Sequence, residues 1–399
     1  MLWKKYIKEK LAVRGFKSAA VSAGLKKGES LDLGLIYSEK DTVSFAVFTK
    51  NRVKAAPVRL SMEHIKSGNI RAVICNSGNA NACTGVQGLR NARKSADLVA
   101  KALGLRDREV IVASTGVIGV QLDMERIERK IPELVSSLRS DGLSDFSKAI
   151  MTTDTFPKVS IAEDMIGESP YRIVGIAKGA GMIMPNMATM LCFILSDISI
   201  PFESLKESLL RCVDKTFNRI SVDGDTSTND MVLCITNGMA KNRDLKRDDL
   251  ERFETNLYRV MSELSKMIIE DGEGATKAIE LHLRGIRTEE EGRRIAEAIL
   301  NSLLVKCAMF GEDPNWGRIM AAIGRSGVDI EPESIDLWIG DVKVAEDGTG
   351  TGREVQAHKE MRQRDIRVVV DLKMGDKEYS MWGCDLSYDY VKINSEYTT

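Results

Sequence analysis

Residues 178–191 read K-G-A-G-M-I-M-P-N-M-A-T-M-L, from Lys178 to Leu191. Three small residues follow a lysine, and the rest of the stretch carries no charge. Gly179 and Gly181 can take turns closed to other residues, and Pro185 fixes its own φ beside Asn186, so the stretch can bend tightly and still be buried. The pair Ala188-Thr189 sets a small residue before a β-branched hydroxyl, at the head of an apolar run from Met190 to Leu195 that reads as a buried strand. If the Thr189 hydroxyl attacks the Ala188 carbonyl and the resulting ester is hydrolysed, the chain splits and Thr189 becomes a new N-terminus. An N-terminal threonine then carries its own base, because an α-amino group with a pKa of about 7.7–8.0 sits on the same residue and can accept the hydroxyl proton. Taken alone, the dipeptide reads equally as the start of a core strand with a hydrogen-bonded Thr.

The rest of the chain narrows the choice. Its 399 residues are enough for two domains, or for one large core with an appended domain. A composition 43% hydrophobic and 29% charged is that of a soluble globular protein. A formal net charge of −1 gives no electrostatic case for nucleic acid or an anionic membrane as partner. Seven cysteines at irregular spacings, mostly within apolar runs, read as buried free thiols of a reducing cytosol. The three histidines, His64, His282 and His358, stand apart from acids and cysteines at ligand spacing. This argues against a Ser-His-Asp hydrolase and a transition-metal site, so no metal is expected. Residues 1–10 lack an apolar signal core, and no run approaches the roughly 18 apolar residues of a spanning helix, so the expected location is the cytoplasm.

In chain order, alternating segments at Lys17–Ala23, Leu31–Tyr37 and Val43–Thr49 predict an antiparallel meander. Pro57 opens a helix to about Lys66. The strand Arg71–Cys75 runs into N-S-G-N-A-N-A-C-T-G (Asn76–Gly85), either a turn and helix cap or an amide lining to a pocket. The strand Val110–Ala113 ends in S-T-G-V-I-G, where a hydroxyl and unobstructed backbone N–H groups suit an oxyanion hole or form a plain turn. T-T-D-T-F-P-K (Thr152–Lys158) packs three hydroxyls and a carboxylate into a short loop. Phe217–Asp230 holds Asp223, Asp225 and Asp230 but does not fit the calcium-loop pattern. E-D-G-E-G-A-T-K (Glu270–Lys277) is a Gly-punctuated acidic turn. From about His282, helices and alternating strands suggest a smaller α/β domain, and Tyr388, Tyr390 and Ile393 suggest that the C-terminus docks. Neither a dinucleotide fingerprint nor a phosphate loop occurs.

Thr115-Gly116, the T-T-D-T loop, K-G-A-G-M…A-T-M-L, D-G-E-G-A-T-K and the Asn-containing C-terminus occur in the order seen in the ornithine acetyltransferase (glutamate N-acetyltransferase) family, which the chain resembles over nearly its whole length. The resemblance implies an α+β fold: a layered α-β-β-α sandwich of the N-terminal-nucleophile type with a smaller C-terminal α/β domain. It implies an alpha chain of residues 1–188 and a beta chain whose 189–280 completes the catalytic domain and whose 281–399 forms the C-terminal domain. Cleavage between Ala188 and Thr189 would free Thr189 as nucleophile. Thr115 and Gly116 would form the oxyanion hole, and Thr152, Lys178, Glu273, Asn394 and Thr399 would bind substrate together with Thr189, with Thr153 and Thr155 as alternatives in the same loop. The implied reaction moves acetyl from N2-acetylornithine to glutamate in a ping-pong cycle with no cofactor. Acetyl-CoA stays open as a further donor, and the implied assembly is α2β2. The rival enzyme is an N-terminal-Thr aminopeptidase or amidase, in which water takes the acyl group. A ligand-binding module with purely structural turns is the non-enzymatic rival.

Overall fold

The computed structural model describes residues 5, 6, 9–184 and 190–396. A four-stranded sheet runs in the order Phe16–Val21, Leu33–Ser38, Ala72–Asn79, Val110–Val117, antiparallel except for the last, parallel pair. A five-stranded sheet runs Val43–Phe48, Met231–Thr236, Leu191–Ser196, Ser169–Lys178, Lys158–Ile166. The expected meander is thus corrected: its third strand leaves its neighbours and pairs antiparallel with Met231–Thr236. Ala46 packs into the core between the sheets while Val43, Phe45 and Val47 pack against the helices outside, so this strand is apolar on both faces and suits a sheet covered on both sides.

The two sheets meet face to face through Phe16, Ile36, Val73 and Ile111 on one side and Val174, Ile176, Phe193 and Leu233 on the other. Phe193 stands edge-on to Phe146 with ring centroids 5.3 Å apart. The outer face of the first sheet is covered by the helices Ala56–His64, Gly85–Leu103 and Met124–Ser136. The outer face of the second is covered by Phe202–Lys215 and Arg247–Glu270. This is the α-β-β-α layering that the resemblance implied. Leu191, Phe193 and Leu195 point between the sheets while Cys192 and Ile194 point at the helices, which is why the run after Met190 shows no polar alternation.

A third, seven-stranded sheet is built from Ile220–Ser221 and the strands from Ala278–Ile286 to Lys377–Cys384, so the strand Ala278–Ile286 crosses position 280. Its core packs against the helices Glu289–Leu300, Leu303–Phe310, Trp316–Gly324 and Glu354–Met361. Five cysteines are buried, but Cys83 and Cys307 are exposed, correcting the expectation of uniformly buried thiols. Among the described residues no helix is long and apolar enough to cross a membrane, and no group of three His, Cys, Asp or Glu could hold a metal ion.

Helix Met124–Ser136 is capped by Asp123, whose carboxylate accepts the Arg126 N–H at 3.2 Å. Asp123→Ala is expected to lower stability by about 1 kcal/mol, read as a small fall in melting temperature with activity unchanged.

Candidate active site

Lys178 ends the strand Ser169–Lys178 and Leu191 begins Leu191–Ser196, and the two residues are register partners. The chain therefore leaves the five-stranded sheet after Lys178 and rejoins it at the same level at Leu191. Ala188 and Thr189, with 185–187, lie outside the described residues. The next residue, Met190, is anchored through both of its backbone polar groups. Its N–H donates to Asp230 Oδ1 at 2.9 Å, and its carbonyl accepts the Met231 N–H at 3.0 Å. Burial pushes the Asp230 carboxyl well above the usual carboxylate range.

Beside this strand end lies a cavity of about 130 Å³, lined by Thr115, Gly116, Thr152, Lys178, Glu273 and Asn394 among others. Six of the residues singled out in the sequence, drawn from five separate segments, thus share one cavity. Thr399 lies outside the described residues. The Lys178 ammonium donates to Thr152 Oγ1 at 2.8 Å and to Thr115 Oγ1 at 3.4 Å. A threonine hydroxyl that accepts from a lysine keeps its own proton to donate. Of the three neighbouring threonines, Thr152 and Thr153 line the cavity, whereas Thr155 turns away and gives both its N–H and its hydroxyl to Asp271.

Two glycines are fixed by close approach. Gly116 has φ +130°, and a Cβ there would lie 2.3 Å from the Gly78 carbonyl carbon on the neighbouring strand. At Gly181 a Cβ would fall 2.4 Å from the Glu273 carboxylate, so this glycine, three residues after Lys178, makes room for that acid. The Glu273 N–H donates to the Ala180 carbonyl at 2.9 Å, and Glu273 Oε2 accepts from Asn394 Nδ2 at 2.8 Å.

Behind the wall runs a chain of buried charges. Lys158 donates to Asp154 Oδ1 at 2.7 Å and to Asp271 Oδ2 at 2.5 Å, and its side chain is fully buried. Burial by itself would push the Asp154 carboxyl up, but the charges of Lys158 and Lys178 and the hydrogen bonds it accepts outweigh this and hold it well below the usual range. The folded pKa is depressed, so the contribution of this carboxylate to stability is in place above its unfolded pKa and is lost as pH falls towards the folded value.

The amide-rich loop does not line the cavity as one reading had it. Asn76, Asn79 and Asn81 give their side-chain N–H groups to the backbone carbonyls of Asn79, Val120 and Gly88, and only Ala80 of this loop reaches the cavity. The loop after Phe217 contributes instead, with Asp223, Asp225, Ser227, Thr228 and Asn229 on the wall. The Asp223 carboxylate accepts the N–H groups of Met182 and Ile183 at 2.6 and 2.9 Å. Its sequence signal was the density of small polar residues around Gly224. The C-terminal helix Tyr388–Glu396 docks through the Tyr390 hydroxyl, which donates to Asp223 at 3.3 Å, and through Asn394. Tyr388 is 83% exposed, against the expectation that it docks, although its edge meets the Phe310 ring.

A lysine, paired hydroxyls, a glycine held against the neighbouring strand and a carboxylate on one small cavity, inside an α-β-β-α sandwich, define an enzyme of the acyl-transfer class. The chain belongs to the ArgJ family, whose model matches residues 17–399. It is 48% identical over 391 residues to the arginine biosynthesis bifunctional protein ArgJ of Geobacter sulfurreducens, covering 97% of this chain and 100% of that one. It is also 48% identical over 402 residues to the glutamate N-acetyltransferase of Methanocaldococcus jannaschii, covering 97% and 98% respectively. A solved chain of arginine biosynthesis bifunctional protein argJ from Bacillus halodurans is 42% identical with a TM-score of 0.51, covering 52% of this chain and 100% of its own length.

Proposed function

We propose that this chain is a glutamate N-acetyltransferase of arginine biosynthesis that moves acetyl from N2-acetylornithine to glutamate through an acetyl ester on Thr189. The observation that carries the reading is the set Thr115, Gly116, Thr152, Lys178 and Glu273 on a single small cavity next to the strand that follows Thr189. Both substrates are α-amino acid derivatives with a carboxylate, for which the Lys178 ammonium is the natural partner. Glu273 complements the side-chain ammonium of ornithine.

The nucleophile arises by self-cleavage. Thr189 Oγ attacks the Ala188 carbonyl, the peptide bond gives way to an ester, and water hydrolyses the ester to leave pieces 1–188 and 189–399. In these terms 189–280 completes the catalytic sandwich and 281–399 forms the C-terminal domain. The Bacillus halodurans chain, matched in full while spanning half of this one, has the length expected of a piece beginning near position 189. We extend the reading to an α2β2 assembly of the two pieces.

In the first half-reaction the free amine of Thr189 takes the proton of its own hydroxyl, and Oγ attacks the acetyl carbonyl. The tetrahedral oxyanion is met by the Gly116 N–H and the Thr115 hydroxyl, while Lys178 occupies the acceptor side of that hydroxyl. Collapse breaks the C–N bond, the proton passes to the departing amine, and ornithine leaves. Glutamate then attacks the ester through its amino group, releasing N-acetylglutamate and restoring the hydroxyl. No cofactor enters this cycle, and Thr399, by the resemblance, joins the substrate contacts.

The test is intact mass measurement on protein incubated with N2-acetylornithine and no acceptor. A fragment beginning at Thr189 and heavier by one acetyl group supports the reading, and loss of that mass on adding glutamate completes it. Hydrolysis of small amides without any need for glutamate would favour the aminopeptidase reading instead. The two relatives at 48% identity differ in name, one bifunctional and one a glutamate N-acetyltransferase. Acetyl-CoA is accordingly proposed as a second donor, and sustained release of CoA thiol with glutamate present, against at most one equivalent per site without it, is its readout. Asn394→Ala removes the amide that holds Glu273, worth about 1 kcal/mol net, and is expected to raise KM for N2-acetylornithine roughly fivefold with little change in kcat.

A further inference from the structure

We infer that Asp154 is a positioning residue for acetyl transfer: its buried carboxylate holds the Thr152 hydroxyl and the Lys178 ammonium together on the cavity wall. The inference rests on the proposed use of Lys178 as the partner of the substrate carboxylate.

Asp154 lines no part of the cavity and its side chain is wholly buried, yet it meets the wall at three points. Oδ2 accepts the N–H of Thr152 at 3.0 Å and lies 3.8 Å from Lys178 Nζ. Oδ1 accepts the N–H of Gly179, the residue after Lys178, at 2.7 Å. One carboxylate thus fixes the backbone at Thr152 and behind Lys178, and pulls on the ammonium between them. The hydrogen bond that Lys178 itself makes to Thr152 closes the same junction from the cavity side.

The remaining contact of Oδ1 extends the hold to the acidic side of the cavity. Lys158 bridges Asp154 to Asp271, and Asp271 lies two residues before Glu273. Four buried or half-buried groups, Asp154, Asp271, Lys158 and Lys178, balance to zero charge. Around Lys178 the other titratable groups include Lys26 and Cys75 from the four-stranded sheet side, Asp230 beside Met190, and Glu273, Asp223, Asp225 and Tyr390 on the same cavity. Asparagine at 154 keeps the size and one acceptor but removes the negative charge, leaving Lys158 with Asp271 and taking from Lys178 the acid 3.8 Å away. The carboxylate that fixes Thr152 and the Lys178 ammonium on the wall is then gone, and the ammonium is held less well where a substrate carboxylate would meet it.

Asp154→Asn in the mature enzyme is therefore expected to raise KM for N2-acetylornithine roughly tenfold, as expected for weakening a charged hydrogen bond, with kcat changed much less. The rise should appear in KM for glutamate as well, since both substrates carry the carboxylate. That split between KM and kcat is what a packing role would not produce. A KM equal to that of the wild type, or a loss of kcat with KM unchanged and a matching fall in melting temperature, overturns the inference. Asp271→Asn keeps every Asp154 contact while leaving Lys158 and Lys178 to share one acid. It is expected to raise both KM values more weakly, and a KM equal to that of the wild type there also overturns the inference if Asp154→Asn does not fold. Wild-type protein run alongside separates the two levels, since failure of the wild type to exchange acetyl would sink the proposed function itself.

Discussion

Thr189→Ala is expected to leave one uncut chain of 44.1 kDa with acetyl transfer lowered by roughly 10⁴-fold or more, the scale on which removal of a nucleophile acts. Wild-type protein should run as two pieces of similar size on a denaturing gel. Both effects follow from one atom, because the hydroxyl that opens the peptide bond is the hydroxyl that later carries acetyl. Thr189→Ser separates them: it keeps a hydroxyl and should cleave and turn over, though more slowly for want of the rigid β-branched side chain. A Thr189→Ala protein that is uncut but still exchanges acetyl between ornithine and glutamate would require another nucleophile. A wild-type chain that is active and continuous through position 189 would require another base.

Gly116→Ala is the second large effect. A Cβ at that position would sit 2.3 Å from the Gly78 carbonyl carbon and 2.5 Å from the Asn79 nitrogen, both backbone atoms that cannot swing aside. The φ of +130° adds strain of about 1–3 kcal/mol for a residue with a side chain. The parallel strands Ala72–Asn79 and Val110–Val117 must then part at the level where Thr115 and Gly116 face the cavity. Displacing one oxyanion donor lowers kcat by about 10²–10³-fold, and that is the expected fall. Kinetics alongside a thermal melt will check it. Activity within a few fold of wild type would mean that the Gly116 N–H does not meet the oxyanion.

The strand that closes the central stretch was legible because its apolar run carries its meaning locally. The buried strand after Met190 and the cavity-facing hydroxyl at Thr115 follow from a few neighbouring residues each. The partner of Val43–Phe48 was not legible, since an alternating segment states that it wants a sheet without stating which one. Nor were the asparagines of the loop 76–85, because amides that bind their own backbone look in sequence like amides offered to a ligand. The least legible feature was the Asp154–Lys158–Asp271 chain. Lys158 and Asp271 are separated by 113 residues, and each sits in a segment that reads as an ordinary polar turn or strand start. Only the fold shows that they neutralise one another behind the cavity wall. Gly181 belongs to the same group, because the acid it makes room for is supplied by Glu273, far along the chain.

The strand order of the five-stranded sheet bears on what a cut at position 188 would do to the molecule. Leu191–Ser196 and Met231–Thr236 would belong to the later piece, and they are flanked by Val43–Phe48 on one side and Ser169–Lys178 on the other, both from the earlier piece. Each fragment thus grips the other like interlaced fingers, and pulling them apart would break two rows of main-chain hydrogen bonds and lay bare the middle of the protein. The pair should melt in a single step despite the missing bond, and neither half should hold its shape when made alone.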